Sequence, residues 1–225
     1  MRLSIIVPVL NEAAGIVRAL EALQPLRVRG HEVIVVDGGS ADATQALARP
    51  LAERILVSPR GRAAQMSAGA AAASGDAFVF LHADTALPER AGALIVKALA
   101  THHWGRFDVR IDSRCRMLAV VATMMNLRSR LTGIATGDQA IFVTRAAFEE
   151  VGGFPGIALM EDVALCARLK RLGRPACLTS RVVTSGRRWE RNGVFGTIAM
   201  MWRLRLAYAL GADPERLARI YARGP

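Results

Sequence analysis

The sequence predicts an α/β protein whose mostly parallel sheet is covered by helices on both faces and is followed by C-terminal helices. In residues 1–100, short apolar runs rich in β-branched residues alternate with helical patterns, which is the order of successive βαβ units. Hydrophobic residues make up 52% of the 225 residues and charged residues 22%, so the chain can bury a core and is not disordered. This length suits a single domain, 1–225.

Four strands are predicted in the first half, and a polar segment follows each of them. The strands are Ser4–Val9, Val33–Val36, Ile55–Val57 and Ala77–Leu81. The helices between them are one capped by Asn11, one over Ala43–Ala48 capped by Ser40 or Asp42, and Arg62–Ala73. Ligands of such sheets bind outside the carboxyl ends of the strands. The candidate site therefore includes residues 11–12, 37–40, 58–60 and 82–84.

The second half is less regular and shows no linker or repeat. Helices are predicted over Glu89–Ala100, Cys115–Leu131, Glu161–Leu172 and Val194–Leu210, with a last one starting at Asp213-Pro214. Strands are predicted over Gly105–Ile111 and Ala140–Val143. In the first of these strands, Phe107 and Val109 alternate with Arg106 and Asp108, which is typical of a strand with one exposed face.

The charge indicates an anionic partner. Lys and Arg number 30 against 19 Asp and Glu, a net charge of +11, and only Lys97 and Lys170 are lysines. Arginine suits phosphate and carboxylate, so the partner would be a phosphorylated small molecule, an acidic membrane surface or nucleic acid. An Arg-rich composition that only reflects genome base content is the plain alternative. Aromatic residues make up 5%, too few for a nucleic-acid stacking platform, and no nucleic-acid partner is expected.

A cytoplasmic location is expected. The three cysteines, Cys115, Cys166 and Cys177, are an odd number without metal-ligand spacing, which fits a reducing compartment. The first apolar run contains Pro8 and ends at Asn11, unlike a signal peptide. No apolar stretch approaches the ~20 residues of a membrane span. Contact with the inner membrane surface and a homodimer both remain open.

Several carboxylates could carry chemistry, and each has a structural alternative. Asp37 ends a strand before Gly-Gly-Ser and could bind a base or ribose, or only shape a turn. Asp84 could hold magnesium or manganese beside a diphosphate, or cap a turn. Glu161 and Asp162 open a helix, where the dipole favours acids, and one of them could act as a general base. Asp138 could meet a second substrate.

The segment Arg187-Arg188-Trp189 is the remaining candidate. Arginines can bind a diphosphate and the indole can stack on a sugar or hold the loop down, whereas the alternative is a solvated basic loop. Several other sites are excluded, because the chain has no Gly-x-x-x-x-Gly-Lys loop, no Gly-x-Gly-x-x-Gly after the first strand and no Gly-x-Ser-x-Gly.

Four motifs in order resemble family 2 glycosyltransferases. They are the opening strand Ser4–Glu12, the nucleotide motif Val33–Thr44, the metal motif Phe80–Asp84, and Gly152-Gly153-Phe154 followed by Glu161–Leu169. Together they cover Leu3–Leu169, which is more specific than any one of them. The compact length, residues 136–139 and the segment 187–191 are also similar to a small bacterial subgroup linked by genome context to arsenosugar biosynthesis.

The resemblance implies the GT-A fold and an inverting transfer from a nucleoside diphosphate sugar, most often a UDP-sugar, to an acceptor hydroxyl, assisted by Mn or Mg. It implies a nucleotide-sugar-binding half over 1–100 and an acceptor half over 101–190. The helical patterns at the end of the chain predict a C-terminal helical appendage over 191–225. A processive synthase is doubtful because Ser185 stands where that motif has glutamine.

The resemblance also implies residue roles. Pro8, Glu12 and Asp37 match residues that hold the base and ribose, and Arg62 lies where a basic residue approaches the nucleotide. Asp84 matches the metal ligand and Asp162 the catalytic base. The remaining donor-side candidates are His82, Arg187 and Arg188, and the acceptor-side candidates are Asp138, Glu161 and Trp189.

His82 departs from the family pattern, because it replaces the first aspartate of the metal motif. A neutral imidazole can still hydrogen-bond the donor, but one negative charge beside the metal is lost, so the diphosphate should supply most of the ligands. A sugar nucleotidyltransferase is the rival within the same fold, although it would need a Gly-rich, Arg-containing loop after the first strand. A non-catalytic basic module that binds an acidic membrane or nucleic acid is the rival of a different class.

Overall fold

The computed structural model describes residues 1–224, in which the apolar runs form the strands of one sheet. The strands are β1 (Leu3–Val9), β2 (Glu32–Asp37), β3 (Arg54–Val57), β4 (Ala77–Phe80), β5 (Thr85–Ala86), β6 (Trp104–Asp112), β7 (Phe142–Thr144) and β8 (Ala176–Ser185). Their spatial order is β3-β2-β1-β4-β7-β6-β8-β5. Pairing is parallel from β3 to β4 and between β6 and β8, and antiparallel where β4 and β6 meet β7 and where β5 meets β8.

Helices cover both faces of this sheet, as predicted. They are α1 (Ile16–Glu21), α2 (Gln24–Val28), α3 (Thr44–Ala48), α4 (Arg62–Ala72), α5 (Ala91–Leu99), α6 (Arg116–Thr132), α7 (Arg145–Glu150), α8 (Glu161–Leu169), α9 (Arg187–Asn192), α10 (Val194–Ala209) and α11 (Pro214–Arg223). Ile5 of β1 belongs to the core that contains Ile16 of α1 and Ile95 of α5. Its neighbour Ile6 belongs to the core that contains Met66 of α4 and Leu165 of α8. Alternate side chains of a strand point to opposite faces, so both faces are buried.

The helix predicted after Asn11 begins later and is divided. Asn11 has a φ of 53° and its Oδ1 accepts a hydrogen bond from the backbone N–H of Ala41, 2.9 Å away. The side chain therefore joins the β1 and β2 loops instead of capping α1, which begins at Ile16. At α3, Asp42 Oδ1 accepts from Thr44 N–H at 3.0 Å, so Asp42, and not Ser40, binds the start of that helix.

The prediction of an exposed polar face on the 105–111 strand is wrong for Arg106 and Asp108 and correct for Arg110, which is exposed. Arg106 is fully buried and Asp108 is 8% exposed, because α6 covers this face. Asp108 is ion-paired with Arg106 and with Arg130 of α6 at 2.6 Å. Asn126 of α6 bonds both the N–H and the carbonyl of Val109. These charges are buried as a paired network, because a buried charge without a partner would be strongly destabilising.

The prediction contains no counterpart of β5, β8 or α9. No strand was expected at β8, yet it pairs with β6 in parallel over most of its length. Residues 187–192 form the helix α9 instead of a basic loop. The last two helices are held to the rest of the chain by an apolar cluster in which Met200, Leu204 and Leu217 meet Leu159 and Met160. The expected appendage therefore packs against the segment that enters α8.

Candidate active site

A cleft lies at the carboxyl ends of β1 and β4, where the predicted site residues were expected. Its volume is 520 Å³. Six predicted residues line it: Pro8, Glu12, Arg62, His82, Asp84 and Arg188. Among the lining residues that were not predicted to bind a ligand are Gln65, Ala158, Leu159, Ala218 and Tyr221. A smaller cavity of 360 Å³ beside Arg145 and Phe148 contains none of the predicted site residues.

Asp84 and Glu12 place two carboxylates in this cleft. Asp84 follows β4 and is exposed, and the one hydrogen bond described for its carboxylate comes from Thr85 Oγ1 at 3.4 Å. Burial raises the pKa of Glu12, and the negative charge of Asp84 raises it further. Most acceptor positions of Asp84 are therefore free to bind a ligand.

These residues suit a metal that is shared with a diphosphate. Within residues 1–224, no group of three or more His, Cys, Asp or Glu side chains could enclose a metal ion. A single free carboxylate suits magnesium or manganese, which bind one or two protein oxygens and complete their shell with phosphate and water. Asp84 fits this role only when a diphosphate is present.

His82 is held by the segment that precedes β7. Its Nδ1 lies 3.4 Å from Asp138 Oδ1. Although burial alone raises the pKa of Asp138, the hydrogen bond and charge of His82 hold that pKa below its usual value. Gly137 allows this approach, because a Cβ there would lie 2.4 Å from the His82 ring. Glycine is needed at this position because a side chain would clash with the His82 ring, and not because of its backbone conformation.

The same segment binds Asp162. The backbone N–H of Gly137 donates to Asp162 Oδ2 at 2.9 Å, and Val163 N–H donates to Oδ1 at 2.7 Å. Adjacent residues 137 and 138 thus connect Asp162 to His82. Asp162 does not line the cleft, but it lies one hydrogen bond from the segment that holds His82.

Glu161 does not lie at the rim of the cleft as expected. Its side chain is 3% exposed and forms an ion pair with Arg62, with Oε1 and Nε 3.0 Å apart. Burial raises the pKa of Glu161, and the guanidinium of Arg62 opposes that shift. The pair joins the start of α4 to the start of α8. Glu161 therefore orients Arg62, which reaches the cleft.

Asp37 is buried behind the cleft. Its carboxylate accepts hydrogen bonds from the backbone of Gly39 and Ser40, from the Ser40 hydroxyl and from Gln45 Nε2. Although burial alone raises the pKa of Asp37, these bonds hold it below its usual value. The structure favours the turn-shaping role. A nucleobase could contact this carboxylate only if it replaced one of these hydrogen bonds.

The C-terminal helix α11 contributes to the wall of the cleft through Ala218 and Tyr221. The guanidinium carbon of Arg188 lies 3.6 Å from the centroid of the Tyr221 ring, and Arg188 Nη2 donates to the Tyr221 carbonyl at 3.2 Å. Burial raises the pKa of Tyr221, while Arg62 and Arg188 oppose that shift. Arg188 is therefore positioned by a residue of α11.

The other two residues of the basic segment do not line the cleft. Arg187 is exposed, and its Nε donates to Ser185 Oγ at 3.1 Å. Its positive charge lowers the pKa of Glu12, so it lies on the same side as the cleft. Trp189 packs against the apolar core that contains Phe107 and Val109 of β6. This contact agrees with the expectation that Trp189 holds the segment down, and it does not support stacking of the indole on a sugar.

Two cleft residues had no usable signal in the sequence. Gln65 Nε2 donates to the carbonyls of Val9 and Val36, each at 2.8 Å, and thereby joins the ends of β1 and β2. Tyr221 lies in a helix far along the chain. A glutamine in an Ala-rich helix and a tyrosine near the C-terminus are both common, so only the fold identifies them.

Comparisons with known proteins agree with this geometry. The model of the family described as glycosyl transferase family 2 matches residues 4–118, just over half of the chain. Two Mycobacterium tuberculosis proteins, each named an uncharacterized glycosyltransferase, are 29% identical to it and align with 98% of this chain and 90% of their own.

Two solved structures illustrate the shared architecture. A mannosyltransferase from Pyrobaculum calidifontis, in complex with GDP-Man and Mn²⁺, is 27% identical with a TM-score of 0.65, over 92% of this chain and 61% of that one. The chain thus spans about three fifths of its length. Glucosyl-3-phosphoglycerate synthase from M. tuberculosis is 20% identical with a TM-score of 0.67, over 94% and 81%, a likeness of fold alone. The predicted GT-A fold is confirmed, and the extent of the family match shows that this protein belongs to glycosyl transferase family 2.

Proposed function

We propose that the protein transfers a sugar from a nucleoside diphosphate sugar to an acceptor hydroxyl with inversion at the anomeric carbon. The supporting observation is that six predicted donor residues line one cleft, while Asp162 is tied through residues 137–138 to His82 in that cleft. The two M. tuberculosis relatives and the family match favour this activity over a nucleotidyltransferase or a non-catalytic module. The mannosyltransferase and the synthase bind GDP-Man and UDP respectively.

The donor would lie along the cleft with its diphosphate between positive groups. Arg62 and Arg188 both reach the lining, and Arg62 is held by its pair with Glu161. Guanidinium groups bind phosphate oxygens bidentately. Asp84 would hold the metal together with the diphosphate, and when bound the metal supplies positive charge to the leaving group. His82, whose Nδ1 faces Asp138, would hydrogen-bond the ribose or a phosphate through its other ring nitrogen.

Transfer would proceed by a single displacement. Asp162 accepts the proton of the acceptor hydroxyl while that oxygen bonds to the anomeric carbon. The bond between this carbon and the diphosphate oxygen breaks at the same time, and the nucleoside diphosphate leaves with the electron pair. Arg62 and Arg188 stabilise the negative charge that develops on it. Attack from the face opposite the leaving group inverts the configuration.

Thermal unfolding with a panel of nucleoside diphosphates and nucleotide sugars, with and without Mn²⁺, tests the donor class. A ligand at 100 times its Kd stabilises the folded state by ~2.7 kcal/mol. We expect stabilisation by one nucleoside diphosphate and its sugar, increased by Mn²⁺, with UDP as the first candidate. A panel without any stabilisation would refute the proposed donor class.

Several predictions from the sequence stay part of this proposal. They are the halves over 1–100, 101–190 and 191–225, the arsenosugar-type subgroup, a cytoplasmic location, the homodimer and the absence of a nucleic-acid partner. Within residues 1–224, no helix combines the length and apolar character that crossing a membrane requires.

A further inference from the structure

Helix α6 has a second apolar face that points away from the protein. Leu118, Ala122 and Ser129 are buried against the sheet. Another set of apolar side chains repeats at intervals of three and four residues, which places it on one stripe of a helix. These residues are 39–72% exposed: Met117, Val120, Met124, Leu127 and Leu131. We call them the α6 stripe.

Helix α10 repeats this arrangement. Thr197, Met200 and Leu204 are its buried residues. At 100° per residue, the opposite side of the helix carries the α10 stripe. Its members are 62–79% exposed: Phe195, Trp202, Leu206 and Leu210. Neither stripe is required for the sheet core, and neither belongs to the cleft.

The two helices begin close together. Ser113, just before α6, donates a hydrogen bond of 2.5 Å to Glu190 of α9, and α9 leads directly into α10. Trp189 and Val194 pack against the core that also contains Leu118 and Ala122. The start of α10 is therefore near the start of α6.

The charged residues within α6 and α10 are all arginines: Arg116, Arg128, Arg130, Arg203 and Arg205. Arg130 is already paired with Asp108, so the positive charge nearest the α10 stripe comes from Arg203 and Arg205. Arg203 and Arg205 lie about 70–90° to either side of the α10 stripe by helix geometry. A symmetric contact between two copies would bring these like charges together, whereas an anionic surface would neutralise them.

We propose that the α6 and α10 stripes dock the protein on the surface of an anionic lipid bilayer. Exposed Trp, Phe and Leu beside arginines are the features of helices that lie in the membrane interface. Tryptophan favours this interface because its ring is apolar and its N–H is polar. The proposal concerns attachment only and does not depend on the identity of the sugar donor.

Flotation with lipid vesicles tests this docking with the full chain. We expect the protein to float with vesicles containing about 30% anionic phosphatidylglycerol, and not with neutral phosphatidylcholine alone. The double variants Trp202→Ser/Leu206→Ser and Met124→Ser/Leu127→Ser should each weaken binding at least about tenfold, because both lose apolar area that the bilayer buries. Arg203→Gln should weaken it roughly fivefold.

A matched control lies outside both stripes and outside the cleft. Val28 is 89% exposed and outside both stripes, so Val28→Ser should float like the wild type. Thermal unfolding and nucleoside diphosphate binding should be unchanged in every variant, which separates docking from donor binding. A wild type that does not float, or serine variants that float equally well, would overturn the proposal. So would a wild-type dimer that the serine variants dissociate, since the stripes would then join two copies.

Discussion

The Arg62–Glu161 pair predicts an unequal effect of removing its two members. Glu161 is 3% exposed, whereas Arg62 is 38% exposed. In Arg62→Met the carboxylate loses its cation in a buried position, which typically costs about 3 kcal/mol of unfolding free energy at neutral pH. In Glu161→Gln the guanidinium still contacts water in the cleft, so the loss should be about 1 kcal/mol.

The pH dependence of this loss has a definite sign. Burial raises the pKa of Glu161 in the folded protein, and Arg62 opposes that shift, so removing Arg62 raises the folded pKa further. A group with a raised folded pKa contributes stability below its unfolded pKa and loses it as the pH rises towards the folded value. The difference between wild type and Arg62→Met should therefore grow from pH 4.5 towards neutral pH, by up to ~1.4 kcal/mol per pH unit.

Urea unfolding of the wild type, both single variants and the double variant, between pH 4.5 and neutral pH, measures these losses in unfolding free energy. The double variant Arg62→Met/Glu161→Gln should recover most of the stability lost in Arg62→Met, and its extra pH dependence should disappear. The reasoning is refuted if Arg62→Met loses the same free energy at both ends of the pH range, or if Glu161→Gln is the more damaging change.

Three further predictions concern other contacts. Gly137→Ala should destabilise the fold by about 1–3 kcal/mol and weaken donor binding, because the added Cβ would displace His82. Gly156→Ala is the control, since its added Cβ meets nothing within 4 Å, and equal shifts of the unfolding temperature in the two variants would contradict this prediction. Tyr221→Ala should weaken nucleoside diphosphate binding roughly fivefold in calorimetry because Arg188 loses its ring partner, while an equal loss in Tyr221→Phe would implicate the hydroxyl instead. Hydrogen bonds to Glu32 outweigh the effect of burial and lower its pKa below 4.5. The difference in unfolding free energy between wild type and Glu32→Gln should therefore shrink as the pH falls below that value, and a difference independent of pH would refute this.

Three of the first four strands, β1, β2 and β4, were predictable because a buried parallel strand has a continuous apolar sequence. Their observed bounds differ from the prediction by at most one residue at either end. The polar residues after them converge because parallel strands end at one edge. Glu12, His82 and Asp84 could therefore be placed together without any knowledge of the rest of the chain.

Other parts depend on contacts between distant segments. The sequence indicates an exposed Arg106, but α6 covers it, the Asn126 carbonyl accepts its hydrogen bond, and Asp108 balances its charge. β8 alternates small, polar and apolar residues, so its pairing with β6 decides its conformation. Tyr221 reaches the cleft because α11 packs against a segment that is distant in the sequence. Sequence spacing near Tyr221 does not predict this contact.

The central claim is that Asp84 binds the metal together with the donor diphosphate, and calorimetric titration of UDP with and without Mn²⁺ tests it most directly. The wild type should bind more tightly with Mn²⁺, and Asp84→Asn should lose that increase while unfolding at the wild-type temperature, because asparagine keeps the shape but not the charge. Asp162→Asn is the matched control and should keep the increase, since its carboxylate serves the acceptor. An Asp84→Asn variant with unchanged Mn²⁺-dependent affinity would contradict the account.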